Sequence, residues 1–308
     1  MTAAGPVHVR VPATVANLGP GFDALGLALD LVNEVEMEVL GEEEDPASAT
    51  AEVEVQGEGE QELPGDASNR VAQAACLLWR QVRGRAPRLR LRCTNHIPLR
   101  SGLGSSAAAA VGGLVAAQRL LGGPLPPDEL LALAWELEGH GDNAAPALAG
   151  GLTVLLPGAR RFLRLDPPPL DVALALPDRR WSTEASRGVL PDQVPRQDAV
   201  FNLTASAALV ASLALGRHDL LAIAMQDRLH QPHRLPHVPG APEALEAAMG
   251  AGALGAALAG AGPAVVALAP PGLGEAVAGA MAAAFEAAGE PARPLACRPA
   301  GEGALGQA

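Results

Sequence analysis

The chain has 308 residues, of which 49% are hydrophobic and 18% charged, with a net charge of −12. That length holds two modest domains or one large one, and so apolar a composition without a long run of one sign excludes a disordered chain. The acidic balance argues against nucleic acid or an anionic membrane as partner, because both require a basic face.

All 22 Lys and Arg positions are arginine, and lysine is absent. A P-loop needs a lysine on the nucleotide phosphates, the protein-kinase fold needs a strand lysine, and Schiff-base chemistry needs a lysine amine, so all three are excluded. Cys76, Cys93 and Cys297 are far apart and odd in number, which fits neither a metal-spaced pair nor a disulfide framework. The first twelve residues lack the apolar segment of a secretion signal and no stretch reads as a membrane span, so the cytoplasm is the expected location.

In chain order, residues 7–11 alternate and predict a strand. The Pro-, Gly- and Asn-rich stretch 12–22 predicts a loop. Residues 34–40 and 51–55 alternate acidic with apolar side chains and predict half-exposed strands. Residues 68–83 have helical spacing, and 88–93 alternate Arg with Leu as a strand. A Gly-rich turn at 98–106 leads into a small-residue helix over 105–121, and 127–138 is a second helix. Strands follow at 151–156 and 170–176, a helix at 196–215, strands at 254–259 and 264–269 around a glycine turn, a helix at 274–288 and a strand at 293–297. Strands and helices mix without strict alternation, which favours an α+β fold. A soft boundary near 158–161 divides the chain into 1–158 and 159–308.

The chemistry concentrates in a few segments. The first is Pro98-Leu99-Arg100-Ser101-Gly102-Leu103-Gly104-Ser105-Ser106-Ala107. Glycines let a backbone approach phosphate closely, and a helix start offers free N–H groups and a positive dipole end. Ser105 and Ser106 are suited to cap that helix, donate to phosphate or ligate Mg²⁺. Gly102, Gly104 and Ala107 also fit the G-x-G-x-x-A pattern of dinucleotide binding, so an NAD enzyme stays open at this point.

This segment resembles the second motif of the GHMP kinases, a family of small-molecule kinases whose glycine loop wraps ATP without a P-loop lysine. Two further segments agree with it in order. Residues 12–23, with Asn17 and Asp23, resemble the first motif in the form found in homoserine-phosphorylating members. Gly260-Ala261-Gly262-Pro263 resembles the third motif, with Ala259 where a Ser is common.

The resemblance implies a two-domain fold, with an N-terminal domain like ribosomal protein S5 domain 2 and a C-terminal ferredoxin-like α/β sandwich. It implies ATP and Mg²⁺ as cofactors and homoserine as the alcohol, phosphorylated on the way to threonine. Pro98 to Ser106, Gly260 and Gly262 are then the nucleotide-binding residues. Glu138, with Glu136 as runner-up, joins Ser106 as Mg²⁺ ligand. His140 and Asn143 line the substrate pocket. Arg187 and Arg234 grip the substrate carboxylate, Thr183 sits beside the reacting groups, and Asn17 and Asp23 accept from the ammonium. Asn143 stands where some members carry an Asp base, and an amide cannot accept a proton, so no side-chain base is expected. A homodimer is the family expectation. The alternatives are a GHMP kinase for another alcohol such as mevalonate, and a fold relative that binds nucleotide without turnover.

Overall fold

A computed structural model describes residues 5–167 and 169–306, and the Thr183 side chain lies outside the described residues. The first lobe is built on a six-stranded sheet. Strands β1 (Val7–Asn17) and β2 (Gly21–Glu43) form a long antiparallel hairpin, with Val7 opposite Met37 and Ala16 opposite Gly26. β2 also pairs with β4 (Ala86–Asn95) and β5 (Leu152–Leu155). β3 (Thr50–Gly57) runs parallel to β4 on one edge, and β6 (Phe162–Leu165) closes the other.

The loop expected over 12–22 is mostly strand, and only Leu18 to Pro20 form the turn. Every residue of β1 from Val11 to Asn17 is buried, so the polar/apolar alternation that marks a half-exposed strand is missing there. Pro12 sits at a register shift of the pair, a place where a missing N–H is tolerated.

Helices α1 (Arg70–Arg83), α2 (Ser105–Leu120), α3 (Pro127–Glu138) and α4 (Ala144–Ala149) belong to the same lobe. α2 is buried continuously from Ala110 to Gln118, and its nearly all-round small apolar composition is that of a central helix. On the outer face, Arg90 lies 3.0 Å from Glu38 and 3.5 Å from Glu52 across the strands. Exposed pairs of this kind reinforce register more than stability.

The second lobe carries β7 (Asp171–Pro177), β8 (Gly255–Leu258), β9 (Val265–Ala269) and β10 (Ala292–Cys297) in the antiparallel order β10-β7-β9-β8. Between β7 and β8 come α5 (Thr183–Gly188), α6 (Arg196–Ala214), α7 (Leu221–Ala224), α8 (Gln231–Arg234) and α9 (Ala241–Gly250), and α10 (Gly274–Ala287) joins β9 to β10. Strand, helices, two strands, helix and strand in this order make a ferredoxin-like unit. The short elements β6, α4, α5, α7 and α8, and the Ala-rich α9, were not expected from the sequence. Among the described residues no helix is long and apolar enough to cross a membrane.

We propose that the lobes divide within 166–170 rather than at 158, because β6 completes the first sheet against β5. The chain end also returns to the first lobe: the Ala300 N–H donates to the Ala28 carbonyl at 2.8 Å and the Ala304 N–H to the Ala147 carbonyl at 2.9 Å.

Candidate active site

The glycine loop is held from two sides. Gly102 and Gly104 have φ of 85° and 70°, where a Cβ is strained. A Cβ on Gly102 would lie 2.3 Å from the Ala259 carbonyl oxygen, and one on Gly104 would lie 2.0 Å from Thr14 Oγ1. The loop is thus wedged between β1 and the 259–263 turn. The Thr14 N–H donates to the Leu103 carbonyl at 3.1 Å, and Thr14 Oγ1 donates to Asn143 Oδ1 at 2.8 Å.

Gly104 is the N-cap of α2 and no side chain caps the helix. Of the roles open to Ser105 and Ser106, capping is not the one taken, and the first-turn N–H groups at the positive end of the dipole stay open to a ligand. The NAD reading of the same glycines fails on topology. That fingerprint opens a helix between two paired parallel strands, whereas the strands before and after α2, β4 and β5, do not pair: β2 lies between them, antiparallel to both.

A cavity of about 250 Å³ opens on the α2 N-terminus, between the lobes. It brings together Asn17, Asp23, Arg100, Ser101, Gly102, Gly104, Ser105, Ser106, Glu138, His140, Asn143, Arg187, Arg234 and Gly260 from the sequence-derived set. Four members of that set do not line it. Leu103 is wholly buried and holds the loop to the core. Pro98 and Leu99 face a separate interlobe crevice of about 790 Å³, and Gly262 lies in the turn behind the cavity wall, under Trp181. Glu136 is exposed and off the cavity. Glu138 follows buried Leu130 and Ala134 at i+8 and i+4 on one helix face. Thr183 opens α5, but its side chain lies outside the described residues. Sequence reading missed Trp181, which also lines the cavity; a scarce Trp next to a polar cluster was the only signal.

A second cavity, of about 220 Å³, shares Arg100, Ser105 and Ser106 with the first and is walled in part by Val55, Leu63 and Leu99.

Charge is arranged in pairs. Arg187 Nη1 and Nη2 donate to both oxygens of Asp23 at 2.9 and 2.7 Å, and this hydrogen bonding raises the guanidinium pKa. Arg234 is 2% exposed. Its Nε donates to the Ser186 carbonyl at 3.3 Å, and Nη1 reaches the Gly260 carbonyl at 3.2 Å and His230 Nδ1 at 3.1 Å. Arginine only donates, so His230 Nδ1 is the acceptor and its Nε2–H donates to the Gly19 carbonyl at 2.7 Å, which makes the ring neutral. Burial lowers the His230 pKa and brings that of Arg234 down to about 10. Phe22 lies under both guanidinium groups, 5.7 Å from Arg187 and 5.3 Å from Arg234.

Asn17, expected to accept from a substrate ammonium, lines the cavity and also serves as a clasp. Its Nδ2 donates to the Gly260 carbonyl at 2.8 Å and its Oδ1 accepts the Asp23 N–H at 3.0 Å, tying the first motif to the third. Glu138 Oε1 accepts from Ser106 Oγ at 2.9 Å and lies 3.4 Å from Arg70 Nε. This oxygen-only pair fits Mg²⁺, which takes one or two protein oxygens and completes its shell with water and phosphate.

His140 Nδ1 lies 2.6 Å from Asp142 Oδ1, which also accepts the Asn143 N–H at 2.9 Å. The hydrogen bond to Asp142 raises the His140 pKa above 6.5, against an opposing effect of burial. A histidine with a raised folded pKa stabilises the fold fully below its unfolded value and loses that contribution as pH rises through the folded value. The stability gap between wild type and Asp142→Asn, read by chemical denaturation, is therefore expected to be full below the ordinary histidine value of about 6.5 and to narrow as pH rises above it. A gap that does not change as pH rises through and above that value would show that the pair is not ionic.

Family models described as GHMP kinases N terminal domain and GHMP kinases C terminal match residues 69–151 and 208–287. The chain is 44% identical over 304 residues to the homoserine kinase of Carboxydothermus hydrogenoformans, covering 97% of this chain and 96% of that protein. It is 46% identical over 281 residues to the homoserine kinase of Moorella thermoacetica, covering 90% and 92%. The crystal structure of homoserine kinase from Cytophaga hutchinsonii superposes with a TM-score of 0.86 at 30% identity, over 98% of each chain. With this similarity along its whole length, the chain belongs to the GHMP kinase family, within its homoserine kinase branch.

Proposed function

We propose that the chain transfers the γ-phosphoryl group of ATP to the side-chain hydroxyl of L-homoserine, giving O-phospho-L-homoserine and ADP. One observation carries this reading: Asp23, Arg187 and Arg234 line the same cavity as the uncapped start of α2. A phosphate site and a site for an amino acid's charged groups are thereby held side by side.

Phosphoryl transfer has a loose transition state, so the protein's task is positioning and charge stabilisation. The open N–H groups at Ser105, Ser106 and Ala107 hold the phosphates. The nucleoside occupies the adjoining cavity beyond Ser105 and Ser106, against Val55, Leu63 and Leu99. Ser106 and Glu138 hold Mg²⁺, which when bound neutralises charge on the phosphate oxygens.

Arg187 and Arg234 take the substrate carboxylate, Asp23 takes its ammonium, and His140 and Asn143 border the bound molecule. Asn143 Oδ1 is already held by Thr14, which leaves its Nδ2 to donate. Asp142 Oδ1 is held by His140 and Asn143. No side chain is assigned as base, and the hydroxyl proton leaves late, to a phosphate oxygen.

We place the reaction in the cytoplasm, as a step toward threonine. A homodimer is proposed on the exposed apolar side chains Val200, Leu203 and Ile223 of α6 and α7, which are 54%, 72% and 68% exposed.

The test is an ADP-release assay with Mg·ATP and homoserine, mevalonate, shikimate or galactose. Homoserine is expected to exceed each of the others by about 10²-fold or more in kcat/KM. Faster turnover of mevalonate would overturn the substrate assignment.

A further inference from the structure

We infer that the Asp23–Arg187 ion pair is an internal competitor for the substrate's carboxylate, so that the pocket rejects hydroxy acids that lack an ammonium group. This rests on the proposed reading of the cavity as an amino-acid site and concerns how that site discriminates. The end-on fork of Arg187 is filled by both oxygens of Asp23, at 2.9 and 2.7 Å. An incoming carboxylate meets a guanidinium already neutralised and an aspartate that repels it.

Arg234 differs. All its hydrogen-bond partners are neutral: the carbonyls of Ser186 and Gly260 and the His230 ring. It therefore has no ion-pair partner to give up, although Asp23, Asp227 and Asp142 favour its charge from further away. The other charged groups near this end of the cavity are His140 and Asp142, which are paired with each other, and Asp227 behind His230, whose oxygens accept the N–H groups of Leu229, His230 and Gln231.

A monoanion in this pocket gains Arg234 alone. A zwitterion brings its own cation, which takes over Asp23 and releases the Arg187 fork for the carboxylate, so that one ion pair is exchanged for two and Arg234 adds to the second. Both side chains are partly exposed, 38% for Arg187 and 37% for Asp23, so the exchange needs no opening of the core. The placement is also enforced. Asp23 has φ of 54°, a conformation rarely adopted by L residues other than Asn, Asp and His, and its N–H is fixed by Asn17 Oδ1 at 3.0 Å. The pocket thus selects partly by what it withholds from the wrong ligand.

The experiment compares homoserine with 4-hydroxybutanoate, the same molecule without the amino group. Each is measured by kcat/KM and by calorimetric Kd in wild type, Asp23→Asn and Asp23→Gly. Asn and Gly both tolerate positive φ, and a thermal melt verifies that each variant is folded.

Homoserine is expected to weaken about 10-fold or more in both variants as its ammonium loses a partner. 4-Hydroxybutanoate is expected to bind about 5-fold or more tightly than in wild type, because the Arg187 fork is freed. The second result is diagnostic, since an aspartate that only binds ammonium would leave 4-hydroxybutanoate unchanged when replaced. Unchanged or weaker 4-hydroxybutanoate binding in both folded variants would overturn the inference. The Kd values are read without turnover, so loss of homoserine phosphorylation in wild type with the binding shift intact would count against the proposed reaction alone.

Discussion

Glu138→Gln is expected to lower kcat by about 10²- to 10³-fold, the scale of removing one electrostatic group from a charged transition state. The substitution keeps the shape and the hydrogen bond from Ser106, at 2.9 Å in the wild type, but removes the negative charge that suits a divalent cation. The Mg²⁺ concentration for half-maximal rate should rise along with the fall in kcat, a readout that a purely structural role would not move. The stability change should be small, because the Arg70 contact is long, at 3.4 Å, and Arg70 is partly exposed. Glu136→Gln, on the exposed side of α3, is the internal control and should leave kcat unaltered. A Glu138→Gln enzyme within about threefold of wild type in kcat would remove this carboxylate from the proposed metal site.

The second large effect is expected at Gly104. Gly104→Ala places a methyl group where Thr14 Oγ1 already sits, 2.0 Å away, on a residue whose φ is 70°. The left-handed conformation costs a non-glycine residue about 1–2 kcal/mol. Displacing Thr14 also strains its hydrogen bond to Asn143, worth about 1 kcal/mol. A destabilisation of about 2–3 kcal/mol follows, measurable by urea denaturation.

The functional loss should be larger than the stability loss. The displaced residue is the N-cap of α2, so the open N–H groups that hold phosphate move together, and ATP binding should weaken by about 10²-fold or more. Adding Thr14→Ala removes the clashing oxygen and should recover part of the stability, while the backbone penalty remains. A double variant no more stable than Gly104→Ala alone would mean that the clash with Thr14 is not the cause.

The contrast between these two sites shows what was legible in the sequence. Gly104 was marked out by local chemistry, since a Pro, two glycines and two serines ahead of a small-residue helix describe a phosphate-binding turn within ten residues. α3 was read at its observed bounds, 127–138, because a Pro start and an apolar periodicity lie within one window. Strand residues 12–17 were misread as loop because their polar members, Thr14 and Asn17, are as buried as their apolar neighbours. β6 was missed because four residues carry too little pattern.

The arrangement of the site was a different matter. Asn17 clasps Gly260 across 243 positions, Asp23 meets Arg187 across 164, and Ser106 meets Glu138 across 32. The sequence by itself determined which residue types were available, the helix that opens on a glycine turn, the absence of lysine and the family. Only the packing of one lobe against the other decided that Asn17 is a clasp, that Leu103 belongs to the core, and that Asp23 and Arg187 first bind each other. The physical reason is range. Periodicity and turn chemistry act between neighbours in the chain, whereas hydrogen bonds and ion pairs depend on distance in space, which is set once the hydrophobic faces of both sheets are buried.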